Sequence, residues 1–430
     1  MRSRTGLVGL VILVLAATAA CDANKPTNTG APASTQAGHP ADHMATPTTL
    51  LPADASPEQV RGQFEQLLGH HALLAVRLMR SVVAQAPELR KAAEGSLRDN
   101  TDALTRTVST AYGDDQGDRF GRLWRRGVAD LTAYAEAVAG NDAAAKQQAR
   151  EDLQADADAY GTWLSEASNG QIQAGDAQGT MRAHVETLMT QADAYAARDY
   201  DKAYLTEREA YEQLFGAGLS LAKGSVTPKA AAALDTPPEQ LRSAFAMLLG
   251  EHMELIVDTQ RATFAGGPEF EAAAAQVNAN SAALTKGMSA IVGPGKAKEF
   301  RSAWAQHVDG LLAYSTAVAG NDQAGKEVAV EQMRGYASRL ALYLSDIVKN
   351  ELPLEPLTQA LGEHDQHLAD QVDAYAVKDY GDAVQMERVG YQQMLGVANT
   401  LVAAIQKTVK PQLPVGGSQT GLGGTAHRRR

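Results

Sequence analysis

Apolar side chains recur along most of this chain at intervals of three and four residues, the spacing that lines one face of an α-helix. Phe64, Leu67, Leu68, Leu74 and Ala75 form one such stripe with His71 inside it; Phe245, Leu248, Leu249, Leu255 and Ile256 form another around His252. No comparable stretch alternates as a half-buried strand would. The stripes stop at 85–87, 112–117, 140–142, 168–170 and 198–199, where Gly, Asn, Asp and Pro supply the residues that end helices. Asp142 and Asp199 stand where N-caps are expected, and Asp193, Asp373 and Asp379 read as capping residues at the same kind of turn. The pattern predicts an all-α protein.

The pattern also occurs twice. At a shift of about 180 residues, Phe64-Glu-Gln-Leu-Leu-Gly-His-His71 returns as Phe245-Ala-Met-Leu-Leu-Gly-Glu-His252, and Ala-Val-Ala-Gly-Asn-Asp recurs unchanged at Ala137–Asp142 and Ala317–Asp322. Trp124 answers to Trp304, Tyr134 to Tyr314, and Asp193-Ala-Tyr-Ala-Ala-Arg-Asp-Tyr200 to Asp373-Ala-Tyr-Ala-Val-Lys-Asp-Tyr380. One residue is lost near Pro268. Each copy divides into about six helices of roughly 20 to 25 residues joined by short turns, which makes neighbours antiparallel. Two tandem up-and-down bundles are therefore expected, over residues 56–223 and 236–408, with a linker at 224–235 and a disordered tail at 409–430.

The first 20 residues read as a secretion signal, with Arg2 and Arg4 before an apolar run from Leu7 to Leu15 that is too short to span a bilayer. Its end, Thr18-Ala19-Ala20-Cys21, resembles the lipobox of bacterial lipoproteins. That resemblance implies lipidation at Cys21, an anchor in the cell membrane and a location on its extracytoplasmic face; ordinary signal-peptide cleavage is the alternative. Cys21 is the only cysteine, so no internal disulfide accounts for it. Residues 21–55, rich in Pro, Thr, Ala, Ser and Gly, bury too little apolar surface to fold and suit a tether, in which His39 and His43 are solvated.

A net charge of −11 works against nucleic acid or anionic lipid as a partner, and the three arginines closing the tail are too few to change that. No nucleophile elbow, phosphate-binding glycine loop or second cysteine is present, so a non-enzymatic role is expected.

The chemistry that remains lies in a few histidines at equivalent places. His71 matches His252 and His184 matches His364, while His307 faces Gly127. Helical phase puts His252, His307 and His364 among apolar neighbours on the first, third and fifth helices of the second copy, within about 9 Å of one another in height. Three imidazoles on facing helices suit a Zn, Cu or Fe ion, with Glu251, Glu363 or His367 as further ligands. Asn280, matched by Asn100, and the Glu387-Arg388 pair, matched by Glu207-Arg208, fall near the same level. His71 and His184 are the corresponding candidates in the first copy. The alternative is a buried polar layer in which the rings are hydrogen-bonded and set helix register. The methionines, among them Met181, Met189, Met253, Met386 and Met394, fall at core spacings and read as packing rather than as soft ligands. Trp124 and Trp304, Tyr134 and Tyr314, and Tyr195 and Tyr375 read as core anchors, with an apolar ligand pocket as the sharper alternative.

The repeat, with Leu-Leu-Gly-x-His, Trp-x-x-His and a histidine ahead of Asp-Ala-Tyr-Ala-x-x-Asp-Tyr, is similar to helical modules of exported bacterial proteins, some labelled copper amine oxidase-like. That resemblance brings no activity, because no Asn-Tyr-Asp/Glu site for a quinone cofactor is present.

Overall fold

The computed structural model describes residues 51–52 and 54–408, which leaves Cys21, residues 21–50 of the tether and the tail outside the described residues. The first copy folds as α1 (Pro57–Val83), α2 (Pro87–Tyr112), α3 (Asp114–Ala139), α4 (Ala143–Ala167), α5 (Ala174–Ala196) and α6 (Tyr200–Gly224). A short helix, α7 (Pro228–Ala233), occupies the linker. The second copy follows as α8 (Pro237–Ala265), α9 (Pro268–Ala319), α10 (Gln323–Ile347), α11 (Leu354–Ala376) and α12 (Tyr380–Thr408). No strand occurs among the described residues, so the fold is all-α.

Local chemistry sets the helix ends. Ser56 closes a capping box with Gln59, whose amide reaches Ser56 Oγ at 3.3 Å while Ser56 N donates to Gln59 Oε1 at 2.8 Å, and Pro57 supplies a preset first turn. Asp142 accepts from Ala144 N and Ala145 N, and Asp199 from Lys202 N, as their positions predict. Asp379 likewise caps α12 through Asp382 N. Asp193 and Asp373 do something else. Tyr134 Oη donates to Asp193 Oδ2 at 3.1 Å, and Lys146 pairs with the same carboxylate; Tyr314 and Lys326 repeat the arrangement on Asp373. These two aspartates tie α3 to α5, and α9 to α11.

Where the first copy breaks between α2 and α3, the second runs on as α9, bent at Gly293. The two sites are equivalent. Gly113 has φ 92° and ψ 156°, Gly293 φ 82° and ψ 164°, a left-handed region open to glycine, and Pro294 then opens the second arm. Each copy therefore has six helical segments.

Each bundle buries its own core, but the copies share a seam: the core of the second draws in Leu73, Tyr211 and Phe215 from the first. α1 and α8 lie at this seam and are buried almost all round from Leu67 to Val82 and from Leu248 to Gln260. The glycine of Leu-Leu-Gly-x-His follows from that packing. A Cβ on Gly69 would stand 2.9 Å from Tyr211 and Tyr391, and one on Gly250 2.7 Å from Tyr211 Oη.

Charged groups cross the seam as well. Arg77 of α1 bonds both Glu254 and Glu387 of the second copy, Arg80 bonds Glu207 at 2.6 Å and Asp258 at 3.1 Å, and Arg261 bonds Glu387. Arg80 lies 4.2 Å over the Tyr204 ring and 5.2 Å over that of Tyr195; Arg261 lies 5.8 Å over Tyr375. Tyr195 and Tyr375 thus serve the seam as cation–π partners. Among these three arginines and four carboxylates, burial beside Asp258 pushes Glu207 up to about 8, so one proton helps balance the set.

Candidate metal centre

α8 brings His252, the second arm of α9 brings His307, and α11 brings His364 to one level of the second bundle. All three are buried, at 0 %, 1 % and 2 % exposure. One nitrogen from each lies within 4.8 Å of the others. The Nε2 atoms of His252 and His307 are 3.3 Å apart, and the His364 ring centre is 6.5 Å from that of His252 and 5.7 Å from that of His307. A tetrahedral Zn with bonds of about 2.0–2.1 Å places its ligand nitrogens about 3.3 Å apart. The spacing of the first pair fits this without rearrangement.

The surroundings hold the rings in place. His307 stacks on Tyr336 with centroids 4.4 Å apart, and Trp304 leans on His252 at 4.5 Å. Asp365, buried on α11 next to His364, brings Oδ1 to 3.1 Å from His307 Nδ1, off the line of a good hydrogen bond. A carboxylate on that nitrogen turns the other, Nε2, toward the shared centre, which is how metal-binding histidines are generally oriented. Burial, then the neighbouring rings, holds His252 and His364 well below the ordinary imidazole pKa, so both are neutral and have lone pairs to donate.

The hydrogen bonding of these rings is incomplete. Both nitrogens of His364, and Nδ1 of His252, have no hydrogen-bond partner. A buried polar atom left in this state costs about 1–3 kcal/mol.

The other ligands expected on α8 and α11 turn away. Glu251 accepts from Arg208 at 2.8 and 3.0 Å and from Asn280 at 2.7 Å, which makes it a seam residue. Glu363 is exposed and accepts from Gln359, and His367 Nδ1 lies 3.1 Å from Gln393 Oε1. Glu387 joins the seam network, and Arg388 bonds Gln385. Asn280 also donates to Leu248 O at 2.9 Å, and Asn100 to the equivalent Leu67 O at 3.0 Å, a tie between the first two helices in both copies.

The first copy resolves its histidines differently. Trp124 Nε1 donates to His71 Nδ1 at 3.0 Å, and Asn100 Oδ1 is 3.3 Å from the same atom. His184 lies near Gln213 and the Ala210 backbone, and its Nδ1 has no hydrogen-bond partner. Gly127 leaves a cavity of about 50 Å³ between them, lined by Trp124, Leu131, Tyr160 and Met181. The absences go together: where the second copy has His307, Tyr336 and Asp365, the first has Gly127, Asp156 and Val185. His71 and His184 are not part of any cluster of three metal-binding side chains among the described residues.

One further trio converges, His70 with Glu254 and Glu387 at the seam. Arg77 already occupies both carboxylates, and burial, with the nearby Arg77 and Arg388 charges, holds His70 down at about 3. It reads as an ion-pair network.

No protein-family model matches the sequence, and no curated protein or solved structure is measurably similar to it.

Proposed function

We propose that the protein is a non-enzymatic binding module of the extracytoplasmic face, anchored to the membrane through Cys21, whose second bundle holds one transition-metal ion on His252, His307 and His364. The contrast between the copies carries this reading. In the first, only two histidines line the cavity, Gly127 stands where the third would be, and His71 is tied to Trp124. In the second, three buried rings converge, both nitrogens of His364 have no hydrogen-bond partner, and an ion at the shared centre would engage all three rings at once. Burial of all three rings favours holding an ion over presenting it to a substrate. The anchor rests on the lipobox-like Thr18-Ala-Ala-Cys21. No helix among the described residues is long and apolar enough to cross a membrane.

The test is elemental analysis of the purified full chain after exposure to Zn(II), Cu or Fe(II) and desalting, with His307→Gly beside it. Glycine stands at the equivalent position of the first copy, so the variant is expected to fold. Wild type should retain one ion per chain and the variant none. Equal retention by both, or none by either, removes the metal reading and leaves an envelope protein with a purely structural histidine layer.

A further inference from the structure

Resting on the metal reading above, we propose that the ion this site selects is monovalent copper. The argument begins with charge. Imidazole coordinates a metal as a neutral ring, so three such donors cancel none of the ion's charge, and a charge buried among apolar side chains has to be matched nearby. One carboxylate is placed to do this: Asp365, buried, 3.1 Å from His307 Nδ1. Glu251, the carboxylate adjoining His252, is paired with Arg208 at 2.8 Å. A singly charged ion and Asp365 sum to zero, whereas a doubly charged one leaves a positive charge unmatched.

A divalent ion can shed that excess by taking hydroxide as a fourth ligand. The space beside the rings works against it. A cavity of about 30 Å³ adjoins His307 and His364, and its wall is mainly carbon, from residues such as Phe245, Leu249, Leu340 and Leu361. Apart from the histidines, Tyr336 and Trp304 are its only lining residues with a polar nitrogen or oxygen in the side chain, and a held water or hydroxide wants two to four polar partners.

The same wall includes two methionines, Met288 and Met394, both buried; their spacing along the chain is that of core residues, and the cavity sets them beside His307 and His364. Thioether sulfur is a soft donor that favours Cu(I) over Zn(II) and contributes without bringing charge or water. The first copy, which lacks the third histidine, has Val108 and Leu214 at these positions. Soft donors and the third imidazole are therefore present together or absent together.

The experiment uses the full chain carrying Cys21→Ser, so that the lone thiol does not compete. Under anaerobic conditions with ascorbate, Cu(I) is offered as its bicinchoninate complex; Zn(II) is offered in parallel against a chromophoric chelator. The expected result is one Cu(I) per chain, held at least 100-fold more tightly than Zn(II). Asp365→Asn should weaken Cu(I) 10- to 100-fold, in the range usual for lost outer-shell partners. The double variant Met288→Leu, Met394→Leu should lower Cu(I) affinity while leaving Zn(II) affinity unchanged, with circular dichroism confirming helix content. Zn(II) held as tightly as Cu(I), or Cu(I) affinity indifferent to Asp365→Asn, overturns the monovalent assignment and leaves the three-histidine site standing. Failure to retain either ion overturns that site as well.

Discussion

Tyr211 and Tyr391, equivalent residues of the two copies, meet with their hydroxyls 3.4 Å apart at the seam between the bundles. Each reaches into the opposite copy: Tyr211 donates to Met247 O at 3.0 Å, and Tyr391 to Gln66 O at 3.3 Å, again equivalent positions. This is the self-complementary contact of a two-fold dimer, built here within one chain.

The two bundles should therefore unfold together. Calorimetry is expected to show a single endotherm, and two resolved transitions would contradict a shared seam. Tyr211→Phe and Tyr391→Phe should each cost about 1 kcal/mol, the usual net worth of one hydrogen bond. Because the hydroxyls touch, the double variant should depart from additivity.

Arg77 supports two buried carboxylates of the other copy, Glu254 and Glu387. Removing it strands both, so Arg77→Ala should cost about 3–5 kcal/mol in chemical denaturation. The surface pair Arg125–Asp102 has the better-looking distance of 2.8 Å, yet Arg125→Ala should cost less than about 1 kcal/mol because solvent screens it. Similar losses from the two would refute the seam network as a stabilising element.

Acid should destabilise the fold earlier than carboxylate titration alone implies. Burial holds His70 and His71 at about 3 and His184 at about 4, against an ordinary value near 6.5. Between those limits the unfolded chain takes up protons that the folded chain refuses, so the stability these three rings contribute is complete above pH 6.5 and falls as pH drops. Each such ring contributes about 1.4 kcal/mol per pH unit across its window. Glu207 acts in the opposite sense. Its pKa is raised to about 8, so the stability tied to its proton is present at low pH and lost as pH rises toward 8. Urea midpoints from pH 4 to 8 should fall steeply below 6.5, and a flat profile there would contradict neutral buried rings.

The empty place in the first copy can be filled. A Cβ at Gly127 would meet Asp156 Oδ2 at 3.8 Å and nothing closer, so a side chain has room to start. Gly127→His with Val185→Asp restores the third imidazole and its carboxylate beside His71 and His184. Retained metal should rise from one to two ions per chain; a ratio that stays at one would show that those residues do not make the site.

Helix content, the duplication and the meeting of His252, His307 and His364 were legible in the sequence, because a 3.6-residue period reports which side chains share a face. The seam was not. His70, Leu73, Arg77 and Arg80 fall on the face of α1 that its own bundle leaves outward, and a charged outer face looks the same whether it meets water or another bundle. Glu251 was misread as a ligand for that reason, since its carboxylate points across the seam to Arg208. Asp365 left one usable signal, an acid beside His364 where the other copy has Val185, but its approach to His307 depends on how α9 and α11 pack.

X-ray absorption at the edge of the retained metal tests the central claim most directly. Three convergent rings predict a shell of about three imidazole nitrogens near 2.0–2.1 Å, with the outer scattering of the rings behind it. A shell of oxygen alone, or one lacking ring scattering, would mean that the ion sits elsewhere and that His252, His307 and His364 do not hold it.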